Sequence, residues 1–163
     1  MEQWSILIAK EYFKFSCAHF LIFPDGSKER LHGHNYQVEV EIDGVLSERG
    51  LVIDFKQVKP FVRRLCDDLD EHWLIPGEHH ELAHRQRDDG HTEVEYRGCR
   101  YLAPTDEVLV MPFNNTSAEN LASWFGRSLY RLLEERFGRL SVRRLRISIS
   151  ETAGQAGIYT YSD

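Results

Sequence analysis

Residues 29–36 read ERLHGHNY, and two histidines flanking a glycine are a pairing with chemical use. On a strand, residues two apart project to the same side, so His32 and His34 would present both imidazoles together. Gly33 lets the backbone between them approach a neighbour closely. Two imidazoles are half of a tetrahedral zinc site, and a catalytic site needs a third protein ligand plus an open position. His19 is the obvious third, because it ends the preceding β-prone run FSCAHF. A hairpin joining that run to HNYQVEV would bring the three together. The bland alternative is that the two histidines merely decorate a strand end. Glu29, three residues before His32, is placed to accept a proton near a metal-polarised substrate, although turn carboxylates are commonly just solvated. His80 and His84 have i,i+4 spacing but lie in a polar, acidic stretch, where a solvated face is the expectation. His79 and His91 carry no assigned role.

The elements that must position these groups follow from periodicity. SILIAKEYFKFSCAH is β-prone and is bounded by the turn formers of FPDGSKE. In HNYQVEVEIDG, Tyr36, Val38, Val40 and Ile42 face one way and Gln37, Glu39, Glu41 and Asp43 the other, a half-buried antiparallel strand. The pattern then switches to a helical period with Phe55, Val58, Val62, Leu65 and Leu69, capped by Asp54 and running on through DEHWL. Residues 77–90 are polar and expected to be exposed. TEVEYRGCRYLAP predicts a hairpin turning at Arg97-Gly98, and DEVLVMPF a short strand. A second helix carries Leu121, Phe125, Leu129, Leu132 and Leu133, with Thr116 or Ser117 as cap and Gly138 as stop. In the last strand Leu145, Ile147 and Ile149 alternate inward, and the next residue on that face is Glu151. A carboxylate there needs a partner, either an arginine or the N–H edge of a bound ring.

Segregated strands and helices predict an α+β fold, one antiparallel sheet with two helices on a single face. The other sheet face needs a layer, which predicts an oligomer. The length of 163 residues suits a single domain, 1–163, with 77–104 as an insertion. The composition, 42% hydrophobic and 28% charged, is that of an ordinary globule. A net charge of -6 argues against a general nucleic-acid binder. Apolar runs are too short to span a bilayer, and the N-terminus lacks the pattern of a signal peptide, so a cytoplasmic protein without membrane attachment is expected. Cys17, Cys66 and Cys99 are odd in number and far apart, which argues for free thiols rather than a disulfide framework.

Taken together the motifs resemble the 6-pyruvoyl-tetrahydropterin synthase family, which includes the queuosine-pathway carboxytetrahydropterin synthases. FSCAHF is similar to its F-x-A-A-H, LHGHNYQVEVEI to its HGH-x-Y strand, GLVIDF to its G-[ML]-V-x-D-F, LDEHWL to its L-D-H segment, NNTSAENLA to its N-P-T-S-E-N-L-A helix start, and ISET to its strand ending in glutamate. The resemblance implies the T-fold, in which subunits join sheets into a barrel, in homohexamers built from two stacked trimers. It implies Zn²⁺ held by His19, His32 and His34, the 2-amino-4-oxo edge of a pterin anchored by Glu151, and the ring held with help from Thr116 or Ser117. The substrate implied is 7,8-dihydroneopterin triphosphate.

Two departures from the family pattern matter. The pyruvoyl and carboxy branches place a cysteine base in the loop before HGH, and here that loop, PDGSKERLHGH, has none. Cys17 takes an alanine position beside a ligand. Glu29 instead resembles a branch reading E-K-L-H-G-H-N-Y, whose members cleave the side chain to 6-hydroxymethyl-7,8-dihydropterin. In LDEHWL, Glu71 separates Asp70 from His72, where the family relay has them adjacent. On a helix one extra residue turns the ring by about 100°, so either Asp70 and His72 still pair or the relay has changed. Lys28 and Arg30 are candidates to meet the triphosphate, with solvated surface the alternative. The expectation is a zinc-dependent lyase with Glu29, Asp70 and His72 as catalytic groups. The competing readings are triphosphate elimination or 6-carboxytetrahydropterin formation, a pterin-binding relative without turnover, and an unrelated sheet protein with a structural zinc.

Overall fold

The computed structural model of the chain describes residues 2–138 and 142–162. In chain order the elements are β1 (Trp4–Ile8), β2 (Lys14–His19), β3 (His32–Gly44), α1 (Phe55–Leu69), β4 (His72–Pro76), β5 (Leu82–Gln86), β6 (His91–Tyr96), β7 (Cys99–Pro104), β8 (Val108–Met111), α2 (Ala118–Phe137), β9 (Val142–Thr152) and β10 (Gln155–Ser162). They fall into two compact units, Met1–Phe15 with Asn35–Asp68 and Ala118–Asp163, and Ser16–His34 with Leu69–Ser117.

The first unit is the expected antiparallel sheet with two helices. β3 pairs with β1 and β9, and β9 with β10. The predicted alternation sets the register: Val38 lies opposite Ile149 and Val40 opposite Ile147. Tyr36, Val38, Val40, Ile42, Ile147 and Ile149 are fully buried, and each such aliphatic side chain contributes about 1.5–3 kcal/mol. The alternate row is polar and ion-paired, with Arg144 on Asp43 and Glu41 and Arg146 on Glu41. Both helices therefore cover the apolar face. Asp54 caps α1 as predicted, its carboxylate accepting the Lys56 amide at 2.8 Å. Over the sheet α2 is packed so closely that a Cβ on Gly126 would come within 2.6 Å of the Tyr159 ring. Gly138, at φ +76°, ends this helix as expected.

The second unit departs from the sequence expectation in three ways. First, α1 stops at Leu69 and DEHWL is not helical. Glu71 takes φ +59°, and its amide donates to the Ser16 carbonyl at 2.7 Å. The chain leaves that left-handed turn as β4, an apolar run buried on both sides. Secondly, β4 joins its neighbours in parallel, Cys17 opposite His72 on β2 and Trp73 to Pro76 opposite Val108 to Met111 on β8. Such strands read as continuous apolar runs without alternation, which is why HWL passed for the end of a helix. Thirdly, the polar stretch 77–90 contains β5, so the insertion is a three-stranded antiparallel meander, β5-β6-β7. Its predicted hairpin is present, with Arg97 at φ 44° and Gly98 at φ 81° between paired Tyr96 and Cys99. His84 lies on β5 and His80 in the preceding turn, so their helical spacing has no helix beneath it. No helix among the described residues is long and apolar enough to cross a membrane.

Candidate metal centre

His19 closes β2, and His32 and His34 open β3, all within the second unit. Their ligand atoms lie within 4.8 Å of one another, and the Nε2 atoms of His32 and His34 are 2.9 Å apart. A tetrahedral zinc with ligands at 2.0–2.1 Å spaces its nitrogens by about 3.3 Å, so small ring rotations suffice. Gly33 contributes the predicted close approach, since a Cβ there would stand 3.3 Å from the Cys17 carbonyl oxygen.

Tautomers follow from the partners. His19 Nδ1 lies 2.9 Å from the Thr116 carbonyl and His32 Nδ1 2.7 Å from the Arg30 carbonyl. A carbonyl only accepts, so both Nδ1 atoms carry the proton and both Nε2 atoms carry a lone pair. That is the donor set a divalent metal takes, and the residues fit the ion. His19 is 1% exposed, whereas the His32 side chain is 37% exposed, which leaves the trio reachable from one side.

Thr116 is the orienting residue that sequence reasoning assigned to a different job. It is fully buried, its hydroxyl donates to the Phe20 carbonyl at 2.8 Å, and its carbonyl holds His19. Asn115 brackets Ile22 by accepting its amide at 3.1 Å and donating to its carbonyl at 2.9 Å. Ser117 is half-buried just before α2.

Glu29 lies beside the histidines. Its Oε2 is 3.8 Å from His32 Nε2 and accepts the Leu21 amide at 3.0 Å, and its own amide donates to the Leu21 carbonyl at 2.9 Å. Lys28 does not stand on solvated surface. Its ammonium donates to the Tyr101 hydroxyl at 2.6 Å and to the Glu29 carbonyl at 2.9 Å, and it lies 4.6 Å above the Phe20 ring. The expected relay is arranged differently. Asp70 accepts the Ser16 amide at 2.6 Å, and His72, carried by β4 rather than by a helix, has a buried Nδ1 without a hydrogen-bond partner. The extra residue is absorbed by the left-handed turn at Glu71. Pairing with Cys17 puts His72 on the face of β2 that also bears His19.

In the first unit the carboxylate of Glu151 accepts the Tyr36 hydroxyl at 3.0 Å. Tyr36 is 0% exposed and stacks on Phe15, with ring centroids 5.0 Å apart at 14°. Its place on the buried face of β3 was the available signal, because a buried tyrosine hydroxyl needs a partner.

An α+β chain that converges three histidines on one point, with a carboxylate 3.8 Å away, has the outline of a metal-assisted enzyme. The profile of the 6-pyruvoyl tetrahydropterin synthase family matches residues 7–162, and the chain belongs to that family of pterin synthases. A Methanocaldococcus jannaschii protein provisionally named 6-carboxy-5,6,7,8-tetrahydropterin synthase is 31% identical over 147 residues, 90% of this chain and 88% of that one. The crystal structure of 6-pyruvoyl tetrahydropterin synthase from Plasmodium vivax superposes with a TM-score of 0.93 at 27% identity over the whole of both chains. Alanine and cysteine variants of that enzyme, at a glutamate named as its catalytic residue, each superpose at 0.92 and 26% identity, again over both whole chains. The fold is thus the T-fold of this family.

Proposed function

We propose that the chain is a zinc-dependent lyase that cleaves the side chain of 7,8-dihydroneopterin triphosphate to 6-hydroxymethyl-7,8-dihydropterin. The observation that carries this reading is the Glu29 carboxylate beside the histidine trio, in a loop without cysteine. The glutamate named as catalytic in the Plasmodium vivax enzyme supports it.

His19, His32 and His34 would hold the zinc, whose contribution is to acidify a substrate hydroxyl. Glu29 takes the proton from the C2′ hydroxyl. The C1′–C2′ bond then breaks, C2′ becomes an aldehyde that leaves with the triphosphate, and the electron pair passes through C1′ into the pterin ring. Return of the proton to C1′ gives the hydroxymethyl group, so atoms balance without water or an oxidant. The backbone of Leu21 keeps one carboxylate oxygen of Glu29 in place for both transfers. Glu151 seats the 2-amino-4-oxo edge, with Thr116 and Ser117 at the ring. Asp70 and His72 act as supporting catalytic groups, and the assembly is a hexamer of two stacked trimers.

A second reading, 6-carboxytetrahydropterin formation, is favoured by the name of the M. jannaschii relative. One experiment separates them. The zinc-loaded protein is incubated with 7,8-dihydroneopterin triphosphate and the pterins are separated by chromatography. The proposal expects 6-hydroxymethyl-7,8-dihydropterin and its loss in Glu29→Ala. A carboxy or pyruvoyl product, or an undiminished rate in Glu29→Ala, refutes it.

A further inference from the structure

The stretch Gly77–Pro104 supplies none of the three clustered histidines, yet its polar groups converge on the loop that carries Glu29. Its strands turn Val94, Tyr96 and Tyr101 onto Phe20, Ile22 and Trp73, forming a small core of their own. From the rim of that core the Tyr96 hydroxyl donates to the Gly26 carbonyl at 2.8 Å. The Tyr101 hydroxyl accepts Lys28 Nζ at 2.6 Å, and the same ammonium holds the Glu29 carbonyl at 2.9 Å. Lys28 also lies over two rings, 4.6 Å from the Phe20 centroid and 5.2 Å from that of Tyr101.

Glu29 is therefore gripped at three points. Its amide bonds to the Leu21 carbonyl, its carbonyl receives Lys28, and its carboxylate receives the Leu21 amide. A glutamate on a loop has a mobile backbone as well as three side-chain torsions, and proton transfer needs its oxygen within hydrogen-bond reach of the substrate. The Leu21 amide fixes the side chain only while the backbone of residue 29 stays where it is, and Lys28, itself held by Tyr101 of the insertion, bonds to that backbone at the Glu29 carbonyl. Two of the three ammonium N–H groups are spent in this way.

We propose that the β5-β6-β7 meander is a positioning element for Glu29, acting through Tyr101 and Lys28, so that Lys28 is a positioning residue and not a ligand of the triphosphate. The proposal rests on Glu29 as proton acceptor. The test uses Tyr101→Phe and Lys28→Met in the full zinc-loaded protein, with two readouts. Residue-resolved amide hydrogen exchange at Leu21 reports whether the carboxylate is held, independently of activity. Steady-state kinetics report the consequence. Exchange at Leu21 is expected to quicken by about tenfold in both variants. The value of kcat should fall by roughly 10- to 100-fold, with KM within about twofold and zinc content unchanged. Unaltered exchange at Leu21 overturns the proposal, as does faster exchange with undiminished kcat. A rise in KM confined to Lys28→Met assigns the lysine to the phosphates and also overturns it. Failure of the underlying reading shows elsewhere, as an undiminished rate in Glu29→Ala, and exchange at Leu21 still decides the positional claim in that event.

Discussion

Replacing Tyr36 by phenylalanine removes one oxygen and leaves the ring stacked on Phe15, so the change isolates the hydroxyl bond to Glu151. No cavity forms, because the ring fills the same space in a site that is 0% exposed. A hydrogen bond to a carboxylate is worth about 1.5–3 kcal/mol when its acceptor is left without compensation. Glu151 is only half-buried, and water replaces part of the loss, which brings the cost to about 1–2 kcal/mol. For a chain of this size that is a fall in melting temperature of about 2–8 °C. If Glu151 seats the substrate ring, the same loosening costs a similar amount in binding, and KM for 7,8-dihydroneopterin triphosphate rises by about 5- to 30-fold. Scanning fluorimetry, product chromatography at varied substrate and zinc content per chain measure the three quantities, and zinc should stay unchanged. Glu151→Gln should raise KM by itself and leave the added effect of Tyr36→Phe much smaller, since the two changes act on one contact. Wild-type melting and wild-type KM in Tyr36→Phe would refute the reasoning, and so would loss of zinc.

Thr116→Val keeps the shape of a fully buried side chain and deletes the hydroxyl that fixes the Phe20 carbonyl. The Thr116 carbonyl orients His19, so zinc affinity, measured by chelator competition, should fall by about 10-fold or more. Glu93, almost wholly buried on β6, is held below its ordinary value of 4.5, first by its hydrogen bonds to Arg100 and then by those to Arg85. Its folded value is depressed, so its contribution to stability is present above about pH 4.5 and is lost as pH falls through the lower folded value. Thermal melts from neutral pH down through the carboxylate range should show a steeper acid loss in the wild type than in Glu93→Gln, and identical slopes would rule the contribution out.

Legibility of this chain depended on how local each cause is. The period-two geometry of a strand placed His32 and His34 on one side, and the end of a β-prone run supplied His19. Both are short-range facts, and the trio converges as they imply. The alternation of β3, the Asp54 cap of α1 and the Gly138 stop of α2 were local as well. What escaped the sequence is set by partners far along the chain. An acidic residue at φ +59° carries no composition signal, so Glu71 was read as helix and His72 with it. The parallel pairing of β4 depends on β2 and on β8, both remote in sequence. Lys28 is caged because Tyr101, seventy-three residues on, comes to meet it. The groups that orient His19 and His32 are main-chain carbonyls, which every residue possesses and no sequence advertises.

Those carbonyls bear on the chemistry. Metal-bound imidazoles are oriented either by carboxylates or by neutral acceptors, and a carboxylate would spread negative charge onto the metal. Here Thr116 and Arg30 both offer neutral oxygens, and imidazole ligands without a carboxylate partner would leave a bound divalent ion its full charge. The negative charge beside the trio comes from Glu29, the proposed proton acceptor, outside the three-histidine set. The division suits a reaction in which a substrate hydroxyl must ionise, since an undiminished cation favours the alkoxide while a separate base receives the proton. It also explains the unequal anchoring of the parts. The histidines ride on strands, and main-chain carbonyls orient His19 and His32. Glu29, the proposed base, rides on a loop, and it is there that the fold adds the Leu21 amide, the Asn115 bracket at Ile22 and the Lys28 clamp.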